Sequence, residues 1–200
     1  MKRIIRSLVV LTGMLLLSGC VKLWQEHIEI KTYMIRVERK AEPLKTPLGK
    51  KLWIDDVYVQ APYNIRSLIS RENDVEFTTS YYSELLMSPA ENFQNGFYNW
   101  ISDSGMFETI SLSERKGMSH RFVATVTDFY GDRAAKQVVL RIKITLFSDK
   151  NSGNNVLMHN DYLQRIDIPT DDAEHFIRGY NEAFFSILHE FERDARQALQ

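Results

Sequence analysis

The side chains of this protein that could carry out chemistry are few and widely spaced. Its 200 residues include one cysteine, Cys20, and five histidines, no two of which are four residues apart. His189 and Glu190 begin like the zinc-binding helix of a metalloprotease, but that pattern needs a second histidine where Arg193 stands. The sequence also lacks a glycine-rich phosphate loop and the Gly-x-Ser-x-Gly turn of hydrolases. We therefore predict no catalytic residue, no metal site and no cofactor.

Two pairs of adjacent carboxylates could act as general acids and bases if both members of a pair faced one point. Asp55 and Asp56 are predicted on a strand, where neighbouring side chains point to opposite faces. Asp171 and Asp172 precede a predicted helix, whose positive end favours acidic residues. Both pairs are therefore better explained by structure than by catalysis.

The N-terminus has the pattern of an export signal. Lys2, Arg3 and Arg6 precede an apolar run over residues 8–17. This run is too short to cross a bilayer as a helix, which takes about 20 residues, but it has the length of the apolar part of a secretory signal peptide. We predict that residues 1–19 are the signal peptide of a lipoprotein.

The four residues at the end of this segment, Leu17-Ser18-Gly19-Cys20, resemble the bacterial lipobox. In proteins with that motif the cysteine sulfur receives a diacylglycerol, and cleavage then exposes the cysteine amine for a further acyl chain such as palmitate. The resemblance implies lipidation at Cys20 and a lipidated tether over residues 20–27. Many lipoproteins kept at the inner membrane have aspartate at the next position, where this chain has Val21, which favours the outer membrane facing the periplasm. The alternative is a signal peptide that is removed whole, together with Cys20.

The composition is that of a folded protein. Hydrophobic residues make up 44% of the chain, charged residues 26% and aromatic residues 12%, which excludes a disordered chain. The first 20 residues contain three basic and no acidic side chains, so the remaining 180 carry a net charge of −4. No basic excess indicates a nucleic-acid partner.

Two segments have helical periodicity. Ser88, Pro89 and Glu91 predict a helix start with a capping box, and Gly105 predicts its end. The second helix is predicted after residues 169–172. The aromatic residues spaced along both helices are predicted to be core: Phe93, Phe97, Trp100, Phe176, Phe184 and Phe191.

The remaining elements are predicted strands. Residues 138–146 alternate perfectly between two sets of side chains and predict a long strand, with residues 156–168 returning antiparallel to it. Shorter strands are predicted over residues 28–38, 52–59, 65–69, 75–79, 107–112 and 122–130. These elements predict one α/β domain over residues 28–200, with a mixed β-sheet and packed helices.

One apolar segment does not fit this pattern. Tyr81, Tyr82, Leu85, Leu86 and Met87 fall in a predicted loop before the first helix. They could pack under the start of that helix as a hydrophobic staple. Alternatively, they are exposed and contact a partner or lipid.

The order of these segments resembles the ABC-type transport auxiliary lipoprotein family, including its paraquat-inducible protein C branch. The resemblance rests on the lipobox at Cys20, Tyr33, residues 53–59 followed by Ala61-Pro62, Ile69-Ser70-Arg71, Ser88-Pro89 through Ser104-Gly105-Met106-Phe107, residues 123–129 and 138–146, and Asn151-Ser152-Gly153.

This resemblance implies a fold like the N-terminal domain of TolB and a non-catalytic role at the outer membrane. The implied partners are a mammalian-cell-entry (MCE) domain protein and an inner-membrane ABC permease and ATPase, which together move lipid between membranes and support membrane integrity. Exposed edge strands would also allow a homo-oligomer to form. The alternatives are an outer-membrane assembly lipoprotein similar to the lipopolysaccharide-assembly plug, a lipid-anchored envelope enzyme, and a structural envelope lipoprotein.

Overall fold

The computed structural model describes residues 29–148 and 155–200. Four predictions lie outside these described residues: the signal peptide, the lipidation of Cys20, the tether and the turn after residue 148. The described part forms one mixed sheet with two helices, as predicted. Its strands are β1 Lys31–Tyr33, β2 Gly49–Ile54, β3 Tyr58–Val59, β4 Ser67–Arg71, β5 Phe77–Leu85, β6 Phe107–Ser111, β7 His120–Asp132, β8 Gln137–Ser148 and β9 Asn155–Asp167. The helices are α1 Pro89–Ser104 and α2 Ala173–Ala198.

The sheet is built around β7, which spans 13 residues. One edge of β7 pairs along its length with antiparallel β8, and β9 continues the antiparallel pairing beyond β8. The other edge of β7 pairs with three short parallel strands in succession, β2, β3 and β4. From these, β6 extends the sheet beside β2, and β5 followed by β1 extends it beside β4.

Both helices cover one face of this sheet. The alternation predicted for β8 is confirmed, because its members on the helix-covered face are completely buried: Val138, Leu140, Ile142, Ile144 and Leu146. On the other face Lys143 is exposed, and Arg141 forms ion pairs with Asp128 and Asp161. One side of the sheet is therefore core and much of the other is polar.

The six aromatic residues predicted to be core are all buried. Phe97 lies at their centre, with ring centroids 4.9 Å from Phe122 and 5.2 Å from Phe184. The helices can approach this closely because α1 has a glycine facing α2: a Cβ at Gly96 would lie 2.3 Å from a ring carbon of Phe184.

The predicted ends of α1 are confirmed. Ser88 Oγ accepts a hydrogen bond from Glu91 N at 3.2 Å, and Glu91 Oε2 accepts one from Ser88 N at 2.9 Å, which completes the capping box. Gly105 ends the helix with a φ of 67°, a left-handed conformation that glycine adopts without steric cost.

The strand predicted over residues 52–59 is wrong in its continuity. Residues after Ile54 leave the sheet because side chains capture the backbone: the N–H of Val57 donates to Gln94 Oε1 at 2.7 Å. The chain returns at β3 with its alternation shifted by one residue. Before the interruption, Leu52 and Ile54 are completely buried, whereas Trp53 is only partly buried and faces the guanidinium of Arg121.

The strand predicted over residues 28–38 is shorter than expected, for a similar reason. Only β1 pairs with the sheet, and beyond it the helices supply the hydrogen-bond partners. The N–H of Ile35 donates to Asn92 Oδ1 at 3.2 Å, and the N–H of Arg36 donates to Asn181 Oδ1 at 3.0 Å. This segment is thus held against both helices instead of a strand.

Candidate functional site: exposed tyrosines beside the first strand

Most of the irregular apolar segment before α1 is the end of strand β5 and not a loop, because β5 runs to Leu85 and only Leu86 and Met87 follow it. In the antiparallel pairing of β4 with β5, Ile69 aligns with Thr79 and Ser67 aligns with Glu84. Between these two aligned pairs the chain advances by two residues in β4 but by five in β5. The additional residues of β5 form a bulge over residues 80–83. Such bulges re-aim side chains at sheet edges and near functional sites.

This bulge presents two tyrosines to solvent. Tyr81 is 80% exposed and Tyr82 is 46% exposed. Their rings pack edge to face, with centroids 5.0 Å apart. An exposed aromatic pair on a hydrogen-bonded strand is an apolar contact surface whose phenol groups can still bind water. We call Tyr81 and Tyr82 the tyrosine bulge.

The other members of the predicted contact surface separate into two groups. Leu86 is 52% exposed and extends the surface of the tyrosine bulge, whereas Leu85 is completely buried in the core. Met87 is partly buried and lines a cavity of about 400 Å³ beside Val57 and Ala90. Leu85 therefore does not belong to the surface, because strand alternation turns it toward the helices.

The described chain begins next to the tyrosine bulge. β1 runs parallel to β5, with Lys31 aligned with Ser83, the residue after Tyr82. Glu29, Lys31 and Tyr82 line one open cavity of about 420 Å³, together with the start of α2. Residue 29 is nine positions after Cys20.

Asp172, one of the acidic residues at this cavity, has a structural role. Asp172 is the N-cap of α2 and accepts a hydrogen bond from His175 N at 3.0 Å. The Thr170 hydroxyl, the backbone of His175 and the ring of His175 hold the pKa of the Asp172 carboxyl well below its ordinary value. Asp172 therefore lies at the start of α2, where the positive end of the helix favours an acidic residue, as predicted.

The other acid pair also lacks the geometry of an acid–base site. Asp55 Oδ2 forms an ion pair with Arg121 Nη2 at 2.5 Å. The N–H of Asp56 donates to Asp55 Oδ1, and the Asp56 side chain instead lines the cavity beside Met87. Within residues 29–148 and 155–200, no group of three or more His, Cys, Asp or Glu side chains is placed to hold a metal ion.

Sequence reasoning missed a buried ion cluster on α2. Glu192 accepts hydrogen bonds from Arg39 Nε at 2.9 Å, Arg39 Nη2 at 3.0 Å and the indole of Trp100 at 2.8 Å. Arg196, one turn further along α2, donates to the same carboxylate. Arg39 is 153 residues from Glu192 in the sequence, so no local periodicity could have revealed this contact.

The electrostatics of this cluster favour an ionised carboxylate. Burial by itself raises the pKa of Glu192, but the hydrogen bond and charge of Arg39, the charge of Arg196 and the Trp100 indole together hold it below its ordinary value. The cluster ties the segment before β2 to both helices.

Comparison with known proteins shows the fold. No protein-family model and no curated protein sequence matches this chain. The chain is similar to the crystal structure of XCC0632 from Xanthomonas campestris, a protein of the family DUF330, with a TM-score of 0.70 at 11% identity over 84% of this chain and 98% of that one. It is also similar to the crystal structure of an uncharacterized protein, with a TM-score of 0.68 at 12% identity over 84% of this chain and 99% of that one. These similarities define a single-domain α/β protein with a mixed sheet.

Neither helix of the described residues is both long enough and apolar enough to cross a membrane.

Proposed function

We propose that this chain is a lipid-anchored outer-membrane lipoprotein that faces the periplasm and acts as a non-catalytic auxiliary component of an ABC/MCE-type intermembrane lipid transport system. One observation carries the proposal: the chain joins the sheet at β1, beside the exposed tyrosine bulge and only eleven residues after Cys20 in its lipobox.

The length of the tether limits how far the domain can lie from the anchor. Eleven extended residues span at most about 40 Å. Each CH₂ of an acyl chain buried in the bilayer contributes about 0.8 kcal/mol, so two or more chains hold a protein stably without a membrane-spanning helix. Tyrosine is enriched at membrane–water interfaces because its ring is apolar and its hydroxyl is polar. An anchor at Cys20 would thus keep Tyr81 and Tyr82 close to the bilayer surface.

The transport role rests on the family resemblance of the sequence. In this role the anchor holds the domain at the outer membrane, where the domain receives or steadies the far end of the lipid conduit formed by the MCE protein. No step of the role requires a nucleotide, a metal or a catalytic side chain in this chain.

The anchor is tested by the variant Cys20→Ala. We expect the domain to stay folded and to leave the membrane fraction, because the thioether to lipid cannot form. Immunoblotting of fractionated envelopes measures this. If the variant remains in the membrane fraction, the lipobox interpretation is wrong or a second anchor exists.

The partner is tested by site-specific photo-crosslinking in native envelopes. A photoreactive residue at Tyr81 should capture an MCE protein or the associated permease, identified by mass spectrometry. Lys143, exposed on the polar face of the sheet, is the matched control position and should not capture them. Capture of a β-barrel protein would instead favour the outer-membrane assembly role, and capture of neither would favour a structural lipoprotein.

A further inference from the structure

Strand β9 forms a long free edge of the sheet. It pairs with β8 on one side, and among the described residues no strand pairs with its other side. The strand spans 13 residues and contains no proline. A free edge of this kind presents unpaired backbone groups on which another strand can form. β9 lies on the opposite side of β7 from β1 and the tyrosine bulge, so this edge is separate from the surface discussed above.

The backbone groups that face the free edge follow from the hydrogen bonding between β8 and β9. Just beyond the two strands, the N–H of Ile168 donates to the carbonyl of Lys136 at 2.9 Å, which makes these residues a hydrogen-bonded pair. Bonded and non-bonded pairs alternate along an antiparallel ladder. The even-numbered residues from 158 to 166 therefore bond to β8. The N–H and C=O groups of the odd-numbered residues from 159 to 167 face the free edge.

The side chains of these odd-numbered residues lie on the face of the sheet that the helices leave open. Their aligned partners on β8 belong to the set that faces away from the helices. Leu163, at the centre, is partly buried against a small apolar cluster. The other four are exposed: His159, Asp161, Arg165 and Asp167. Arg165 has no ion-pair partner within the part of the chain that the structure describes.

Opposite charges are placed symmetrically about Leu163. If two β9 strands pair antiparallel around a two-fold axis at Leu163, Asp161 of each copy lies opposite Arg165 of the other, and His159 lies opposite Asp167. Moving the axis by two residues places Asp161 or Arg165 opposite itself. Moving it by one residue places Asp161 opposite Asp167 or His159 opposite Arg165. Among these registers, only the one at Leu163 gives both Asp161 and Arg165 a partner of opposite charge, which stabilises a cross-strand pair.

We propose that two copies of this chain associate edge to edge through β9 in this register, so that their sheets continue across the interface. Each copy donates five backbone hydrogen bonds to the other, one from each odd-numbered residue between 159 and 167. The two-fold axis is perpendicular to the sheet and keeps both α2 helices on the same face. The dimer is independent of the lipid anchor and of the transport role.

The other charged groups near this interface leave a small net repulsion. On the flank of α2 over β9, Glu190 accepts a hydrogen bond from Gln164 Nε2 at 2.8 Å, and Asp194 accepts one from the Tyr162 hydroxyl at 2.9 Å. With the charged side chains of β8 and β9 and their ion-pair partners, each copy carries five carboxylates and four cations: Asp128, Asp161, Asp167, Glu190, Asp194, Arg141, Lys143, Arg165 and Arg193. One net negative charge per copy is screened at physiological ionic strength, so the matched pairs set the register.

The dimer is tested by native mass spectrometry of the full chain, purified in detergent and measured over a dilution series. The wild type should give a species of two chains. Asp161→Lys and Arg165→Glu should each raise the dissociation constant by about tenfold, because like charges then lie opposite one another at two places. An equimolar mixture of these two variants should restore the dimer, since each substituted side chain meets its opposite charge in the other copy.

The matched control is Arg178→Glu, at an exposed position on α2 away from β9, and it should dimerise like the wild type. Four results would each overturn the proposal. They are a monomeric wild type, an assembly of more than two chains, charge variants that still dimerise alone, and a mixture of the two variants that stays monomeric.

Two variants at the axis separate backbone pairing from side-chain contact. The N–H of Leu163 faces the free edge, so Leu163→Pro removes no hydrogen bond to β8, and edge strands tolerate proline at such positions. Leu163→Pro should abolish the dimer, whereas Leu163→Ala should retain it. Circular dichroism shows whether both variants are folded. Equal behaviour of the two folded variants, whether the dimer is retained or lost, would exclude strand pairing at this edge.

Discussion

The aromatic rings beneath the helices and the tyrosine pair on β5 use the same residue class in opposite environments. Phe93, Phe97 and Phe184 are at most 1% exposed, and Phe184 contacts both of the others edge to face. Tyr81 and Tyr82 also pack edge to face, but they are largely surrounded by solvent. The first group lies at helical spacing over a sheet, whereas the second lies on a strand bulge. The difference indicates that aromatic surface stabilises the fold in one region and remains available for contact in the other.

The largest effect is expected from the variant Phe97→Ala. Removing a completely buried ring should lower the free energy of unfolding by about 3–5 kcal/mol, since transfer and cavity terms add. Tyr81→Ala is the matched variant and should change it by no more than about 0.5 kcal/mol. Urea unfolding followed by circular dichroism measures both. A similar loss in the two variants would erase the distinction between the regions.

A loss of about 3 kcal/mol is expected from Glu192→Ala, because the buried charge of Arg39 would lose the carboxylate that compensates it. The pH dependence follows from the lowered pKa of Glu192. The unfolded chain binds the proton first, so this contribution is complete above the ordinary value of 4.5 and is lost as the pH falls through the lower, folded-state pKa.

Glu192→Gln should accordingly flatten the acid side of the stability profile, measured as the unfolding midpoint between neutral and acidic pH. Glu174→Gln is the control, because Glu174 forms an exposed pair with Arg178. An acid profile in Glu192→Gln that matches the wild type would contradict the assigned ion cluster.

A smaller effect is expected from Ser88→Ala at the start of α1. This variant removes one half of the capping box and should cost about 1 kcal/mol. Thermal unfolding measures it. A cost near zero would mean that the Glu91 half of the capping box is enough to stabilise the start of the helix. The measured cost therefore reports how firmly the chain between the tyrosine bulge and α1 is held.

The smallest effect on stability, but a functional one, is expected from replacing both Tyr81 and Tyr82 with serine. The free energy of unfolding should stay within about 0.5 kcal/mol of the wild type. Recovery of the transport partners in a cross-linked pull-down should fall, since the apolar contact surface is gone. Unchanged recovery would exclude the tyrosine bulge as the docking surface.

Much of the fold could be predicted from local pattern. Three features depend only on residues that are close together in the sequence, and each is confirmed. They are the apolar stripe along α1, the capping box at Ser88 and the alternation along β8. The interrupted strand after Ile54 could not be predicted, because it depends on Gln94 capturing the N–H of Val57 from a helix 37 residues away. The sequence also could not decide whether Tyr81 is exposed or packs under the start of α1, because its exposure depends on a register shift against β4.

The sequence by itself determined which residues are apolar and at what period, and that was enough for two helices on a mixed sheet. It also contains the lipobox resemblance at Cys20, on which the proposed anchor depends. Only the tertiary structure decided which aromatic residues remain in solvent, where the chain joins the sheet and that Arg39 pairs with Glu192. The physical reason is that periodicity records the local preference of a segment for one buried face. Register, backbone capture and ion pairing are instead settled by partners that the fold brings together from distant parts of the chain.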